Sequence, residues 1–320
     1  MNTPTTYTPS TAKRGRYTIS ESPLRFKRIT VEDMRFIYPY LCYQRGRTTD
    51  FSIGGLLMWV DVFNYEYCIY RDTLFIKGVV ENDLTKPAFS VPVGRMALSE
   101  SIQLLKNYCA AKNITLELSA VPEDYLPAFR SLVPMRIEEL KDWADYLYDI
   151  EPLATFSGKK LMKKRNHFNK FKSVCPDYEL LDLTPANVHY ALEFMDIFDM
   201  EGDETEMAVT ERAMTRKLLR DFRRNPDGME GAILIVDGAV VAFTVGDIID
   251  DTLFIHIEKA TRAIPGSYEA INKLFAQRML ERHPELRYVN REDDSGDAGL
   301  RKAKESYHPV KLLKKYNILF

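Results

Sequence analysis

The sequence predicts an α/β (α+β) protein of two tandem units, each a mixed, mostly antiparallel sheet flanked by helices. Three observations predict it. From Gly231 to Ala260 the chain reads as a three-strand antiparallel meander, with β-branched apolar runs broken at Asp237-Gly238 and at Asp250-Asp251. Asp-Gly is a strong two-residue hairpin signal. A helical pattern follows from Ser267, where Ile271, Leu274, Phe275 and Leu280 recur at helical spacing. The order of elements also repeats between the halves: FKRITVEDMRFIYPYL and ELLDLTPANVHYALEF share a strand, a threonine cap and a helix. The 320 residues leave room for two domains of ordinary size.

Each element has its local reason. LRFKRIT is a strand, and Thr30 caps the helix after it, with Glu32 and Asp33 in the first turn. LLMWVDVF is a short helix. YEYCIY and TLFIKGVV form a hairpin about Arg71-Asp72, with AFSVPVG a third strand. A helix from Ala97, the strand TLELSAV, a helix opened by Pro122, and the extended, tyrosine-rich MRIEELKDWADYLYDI close the half. After SGKKLMKKRNHFNKFK comes the second series: YELLDL, a helix capped by Thr184, a helix near 210–224, the meander, a helix capped by Ser267, the strand RYVN, a helix near Gly299 and a last segment. The predicted divisions are a flexible tail over 1–21, a first unit over 22–155, a basic linking helix over 156–175 and a second unit over 176–320.

Composition narrows the function. Apolar residues make up 45% and charged residues 28%, as in a globular chain, and the net charge of −2 means that any basic surface is local. The four scattered cysteines point to a reduced compartment and argue against a zinc site or a disulfide framework. No apolar run approaches the roughly 20 residues that span a bilayer. The first residues lack the apolar core of a secretory signal. A cytoplasmic protein without a transmembrane segment is expected, and no metal.

The chemistry-bearing stretches lie mostly in the second half. The strand TLFIHIEKA feeds a turn, RAIPGS, and then a helix; the first amides of such a helix have no helical partner and make an anion site. His256 and Glu258 are expected on one strand face, with Lys259 on the other. Asn290, Arg291, Glu292 and Asp293 close a strand, where an open sheet often holds its ligand. There the acidic groups suit an ammonium and Arg291 a carboxylate. In the linking helix, Lys159, Lys160, Lys163, Lys164, Arg165 and Lys170 surround an apolar stripe of Leu161, Phe168 and Phe171. That is either a solvated face or a grip for the phosphates of a tRNA stem or a cofactor.

These motifs carry a resemblance. Meander, glycine turn, helix, strand and helix resemble the Gcn5-related acyltransferase (GNAT) fold. IEKA, IPGSYEAIN, VNREDD and LRKAKESYHPVKLLKKY resemble, more narrowly, a bacterial family grouped with the C-terminal domain of phosphatidylglycerol lysyltransferase and distantly with the Fem peptidyltransferases. The resemblance implies a transferase that takes an aminoacyl group from aminoacyl-tRNA, or an acyl group from acyl-CoA, as donor co-substrate, with no permanent cofactor. The acceptor would be an amine or hydroxyl on a small molecule, peptide or lipid headgroup. It implies donor binding at Arg262, Gly266, Ser267 and Tyr268. Relatives that use acyl-CoA carry a richer glycine turn than Arg-Ala-Ile-Pro-Gly-Ser, so the tRNA-dependent branch fits better. It implies Glu258 as general base beside His256 and Asn290, and Tyr307, at the Ala-x-x-x-Tyr spacing from Ala303, as proton donor to the leaving group. A non-catalytic tandem domain that binds a nucleotide, tRNA or metabolite is the alternative.

Overall fold

Thr30 and Asp33 show how closely local sequence dictates the start of the fold. The Asp33 carboxylate accepts from the Thr30 N–H at 3.1 Å and from its hydroxyl at 2.9 Å, pinning the first turn. The computed structural model describes residues 22–200 and 205–320; the expected tail over 1–21 lies outside them. The first half runs β1 (Lys27–Arg28), α1 (Met34–Leu41), α2 (Ile53–Trp59), β2 (Glu66–Tyr70), β3 (Thr73–Val80), β4 (Asp83–Phe89), β5 (Val93–Gly94), α3 (Leu98–Lys112), β6 (Glu117–Pro122), α4 (Leu126–Arg130), β7 (Arg136–Glu139), β8 (Asp145–Asp149) and α5 (Ile150–Thr155). After α6 (Met162–Val174) come β9 (Glu179–Asp182), α7 (Val188–Met200), α8 (Glu206–Arg224), β10 (Met229–Val236), β11 (Ala239–Ile249), β12 (Thr252–Ala260), α9 (Ser267–Arg282), β13 (Tyr288–Asn290), α10 (Ala298–Glu305), β14 (Lys311–Leu313) and β15 (Lys315–Leu319).

Two mostly antiparallel sheets result, each flanked by helices. The first has the order β1-β2-β3-β4-β6-β15-β7, with β5 on β3, and the second β14-β8-β13-β12-β11-β10-β9. The meander is as expected, and its Asp237-Gly238 turn has positive φ at both residues (49° and 78°), the geometry that joins tightly twisted strands. Among the described residues the only parallel pairings are β4 with β6 and β12 with β13, the latter joined through α9.

The sheets trade strands. β8, read from sequence as the end of the first unit, lies in the second sheet between β13 and β14. β15, from the chain's end, lies in the first sheet between β6 and β7. A single strand's alternation says which face is buried, not which neighbour it pairs with, so the exchange left no mark in the sequence pattern. The halves are further joined by apolar packing: Ile53, Leu56 and Leu57 of α2 share a core with Leu218, Leu219 and Phe222 of α8 and with Phe243 and Phe254 of the second sheet. The other face of that sheet packs on α5, α6 and α9 through Phe156, Phe171, Ile271 and Phe275.

Candidate active site

The parallel pair β12–β13 holds register only from Thr252 opposite Tyr288 to Phe254 opposite Asn290. Beyond that the two strands part, and charged side chains from several elements fill the space between them.

β12 carries a bulge there. Val245 pairs with Ile257 and Gly246 with Ile255, so His256 is the extra residue. The bulge turns His256 to the face that meets α2, where the ring packs so tightly that a methyl group on Gly54 would collide with it. Glu258 faces α9 instead. The two were expected on one face; the inserted residue breaks the two-residue alternation on which that expectation rested.

His256 is held between two carboxylates. Nε2 meets Asp247 of β11, and Nδ1 meets Glu292 at 2.9 Å. Asp247 is fixed by the first amides of α2, from Ile53 at 3.2 Å and Gly54 at 3.0 Å. Burial works against a charged ring, but Asp247 and Glu292 outweigh it and raise His256 to about 10. With both ring nitrogens spent and the charge retained, this histidine holds the Asp247 carboxylate that the first amides of α2 meet, and it has no lone pair with which to take a proton.

Asn290 serves the same seam. Its amide nitrogen donates to the Arg47 carbonyl at 2.8 Å and to Asp145 at 2.9 Å, and its oxygen accepts from the Glu292 N–H at 2.7 Å. That last bond closes an Asx turn, and Glu292 inside it takes a positive φ of 58°. The turn sends Arg291 and Glu292 to opposite faces. Asn290 is a positioning residue here, with both of its donors committed. Asp293 accepts from the Ser295 N–H and hydroxyl, each at 2.9 Å, and burial raises its carboxyl.

On the α9 face the expected residues do meet. Glu258 accepts from Arg291 Nη2 at 2.7 Å and from Asn272 Nδ2 at 3.0 Å. Burial opposes the charge on Arg291, but Glu258 more than compensates and raises the guanidinium above its usual range. Tyr307, at the end of α10, lies between two cations: Arg291 is 4.5 Å and Lys164 3.8 Å from its ring centroid. Burial holds its phenol far above the usual range in spite of Arg291. Tyr307 therefore keeps its phenolic proton at neutral pH.

The basic linker divides. Lys159, Lys160, Lys163 and Lys170 are exposed. Lys164 turns inward to Glu269 at 3.3 Å, and burial pushes its ammonium below the usual lysine range. Arg165 donates to the carbonyls of Phe156 at 2.7 Å and Gly158 at 3.1 Å, closing the end of α5.

α6 also covers the turn before α9. Gly266, at φ 84°, caps that helix, and a methyl group on it would strike the carbonyl of His167. Ser267, expected as the cap, is the first helical residue, and its hydroxyl donates to the Thr261 carbonyl at 2.6 Å. Only a glycine fits both the left-handed backbone and the close approach. Arg262 is exposed beside the turn, and Tyr268 is half-buried.

Sequence reasoning missed Asp247, Asn272, Glu269 and Lys304. Asp247 had a signal, a carboxylate inside an apolar strand. The buried Lys304 ammonium, lowered by its burial, donates to the carbonyls of Arg291 and Asp293 and holds their loop.

This architecture is that of a tandem GNAT-like chain. Residues 44–319 match the family described as phosphatidylglycerol lysyltransferase, C-terminal, and the chain belongs to that family. A conserved protein of unknown function from Bacteroides thetaiotaomicron is 32% identical, with a TM-score of 0.81 over 93% of this chain and 99% of that one. The structure of L-PGS from Bacillus licheniformis shares the fold at 16% identity (TM-score 0.63, 89% of this chain and 91% of that one). FemX shares it at 10% (TM-score 0.62, 92% and 97%). An uncharacterized protein of Mycoplasmoides gallisepticum is 28% identical over 178 residues, a stretch spanning 54% of either chain and thus about half of that relative. The family and fold are those of a transferase.

Proposed function

We propose that this chain transfers an aminoacyl group from aminoacyl-tRNA to an amine or hydroxyl acceptor on a small molecule, peptide or lipid headgroup. One observation carries the choice of donor: the packing of the α6 backbone on Gly266. A CoA pyrophosphate needs the open backbone of a strand-to-helix turn, and here that backbone is in contact with a helix. Exposed lysines flank and line that helix, Lys159 and Lys160 in the turn before it and Lys163 and Lys170 on it, which suits the phosphates of a tRNA stem. In this reading the acceptor attacks the aminoacyl ester carbonyl, Glu258 takes the proton of the attacking group once Arg291 yields its hold, and Tyr307 protonates the ribose oxygen that leaves as the ester bond breaks. Among the described residues no helix is long and apolar enough to cross a membrane; the proposed compartment is the cytoplasm.

Side-by-side binding of the purified protein to aminoacyl-tRNA and to acetyl-CoA tests the donor. Tight, salt-sensitive binding of tRNA and none of acetyl-CoA is expected; the reverse would overturn the proposal. A second reading, binding without turnover, draws on both oxygens of Glu258 and both ring nitrogens of His256 being engaged. Transfer to a hydroxylamine acceptor distinguishes it.

A further inference from the structure

Three carboxyl groups meet at the seam where β15 enters the first sheet. Glu81 lies just after β3, and its side chain hydrogen-bonds that of Asp50, in the Thr49–Phe51 turn before α2. Glu81 Oε2 and Asp50 Oδ2 are both buried, and neither accepts from a donor among the described residues. The Lys315 ammonium is 3.0 Å from Asp50 Oδ2 but out of line for a hydrogen bond. A carboxylate only accepts, so two carboxyl groups bond each other only while one keeps its proton. The surrounding charges agree. Glu81, Asp50 and Asp145 all face the ammonium of Lys315, with the Tyr65 phenol beside them and Asp293 beyond, against Lys304. Burial and the charge of Asp50 push Glu81 well above the ordinary carboxyl range, and Lys315 opposes this without reversing it.

We infer that Glu81 and Asp50 share one proton, and that this proton makes the seam a clasp that loosens as pH rises. Neither residue is free to step away when the proton leaves. The Glu81 N–H donates to Ser119 Oγ at 3.2 Å, and Ser119 donates on to Asn317 of β15 at 2.8 Å. The turn that carries Asp50 is fixed on Asp145 through the Thr49 N–H at 2.7 Å and hydroxyl at 2.9 Å. Once ionised, Glu81 is one more buried anion against Asp50, and Lys315 has three carboxylates to answer in place of two. The repulsion falls on β15 and on the turn before α2. The first amides of α2 hold Asp247, and Asp247 holds His256 and through it Glu292, so the same repulsion reaches the charged loop after β13. A carboxyl that is raised in the folded chain contributes its full stability below the ordinary value of 4.5 and loses it as pH climbs toward the folded value. The clasp stands whatever group the chain transfers.

The test is urea denaturation of the unsubstituted chain and of Glu81→Gln from about pH 5 to about pH 9. Glutamine is uncharged and donates to Asp50 at every pH. The ratio of the two folding constants should shift toward Glu81→Gln by about tenfold for each pH unit, until Glu81 ionises in the folded chain. His256 is present in both and cancels. Amide exchange over β15 should quicken with pH in the unsubstituted chain relative to Glu81→Gln. A ratio that stays constant, or β15 exchange that keeps pace in the two proteins, would overturn the clasp. If Glu81→Gln does not fold, Asp50→Asn takes its place, since its amide donates to an ionised Glu81 and the same shift with pH is expected. Infrared spectra of the unsubstituted chain decide the matter even without a variant. A carboxylic acid band at neutral pH that moves when the glutamates are isotope-labelled is expected, and its absence would refute the shared proton.

Discussion

The carbonyl of His167 lies where a side chain on Gly266 would have to go. The linking helix is thus fitted to the turn before α9, not merely laid over it. Gly266→Ala should therefore cost more than the left-handed backbone alone demands. Gly238 is the control, because it has a similar φ of 78° and open space around it. Gly238→Ala should lose about 1 kcal/mol. Gly266→Ala should lose roughly 2–4 kcal/mol once overpacking is added. Urea denaturation of the two variants measures the difference, and equal losses would mean that α6 moves aside freely.

The division of the basic linker predicts a split in tRNA binding. Lys159, Lys160 and Lys163 are exposed, while Lys164 is directed at Glu269 and Tyr307. Each phosphate contact removed should lower the slope of log affinity against log salt by about one. Lys163→Glu should show that drop. Lys164→Met should leave the slope unchanged and reduce transfer. A lower slope in Lys164→Met would return that residue to the outer face.

Tyr307→Phe keeps the ring between Lys164 and Arg291 and removes only the hydroxyl. If the phenol delivers the proton to the leaving group, transfer should fall about 10²- to 10⁴-fold while the thermal midpoint hardly moves. Single-turnover rates with aminoacyl-tRNA measure it. An unchanged rate would reduce Tyr307 to an aromatic support for the two cations.

The parts of this site that were legible in the sequence are those set by local rules. The meander, its Asp-Gly turn, the helix after Gly266 and the placing of Glu258 on a strand, Arg291 at a strand end and Tyr307 at a helix end all follow from periodicity and turn chemistry. What was hidden depends on a neighbour's choice. One inserted residue at His256 moved it to the other face of β12. Lys164 looks like its neighbours in sequence and differs only because α6 packs on α9 and turns that position toward Glu269 and Tyr307. Asp145 and Lys315 lie 170 residues apart in the sequence yet meet at 2.9 Å, because their strands have exchanged sheets.

His256 makes stability depend on pH in a defined direction. Its value rises from the ordinary 6.5 to about 10 in the folded chain, so its contribution is complete below about 6.5 and is lost as pH climbs toward 10. The stability difference between the unsubstituted protein and His256→Gln should therefore narrow across that window. Denaturation midpoints at intervals from pH 6 to about pH 10 give the curve. A difference that stays flat would mean that the ring is neutral, with one carboxylate protonated in its place.

The strand exchange rests on a buried ion cluster, and Lys315 is its key. The ammonium lies 2.9 Å from Asp145 and 3.0 Å from Asp50, all three nearly inaccessible. Burial opposes its charge, but the carboxylates around it hold Lys315 well above the usual lysine range. Lys315→Met would leave two buried carboxylates without their counter-ion. Removing one partner of such a pair typically costs about 3–5 kcal/mol, more than the pair itself contributes. Adding Asp145→Asn should recover part of that loss. The substituted amide oxygen still accepts from the Thr49 N–H, which donates at 2.7 Å in the unsubstituted protein. Denaturation of the single and double variants closes the cycle. Simple additivity of the two losses would show that Lys315 and Asp145 do not depend on each other, and that the main-chain ladders alone hold β15 in the first sheet and β8 in the second.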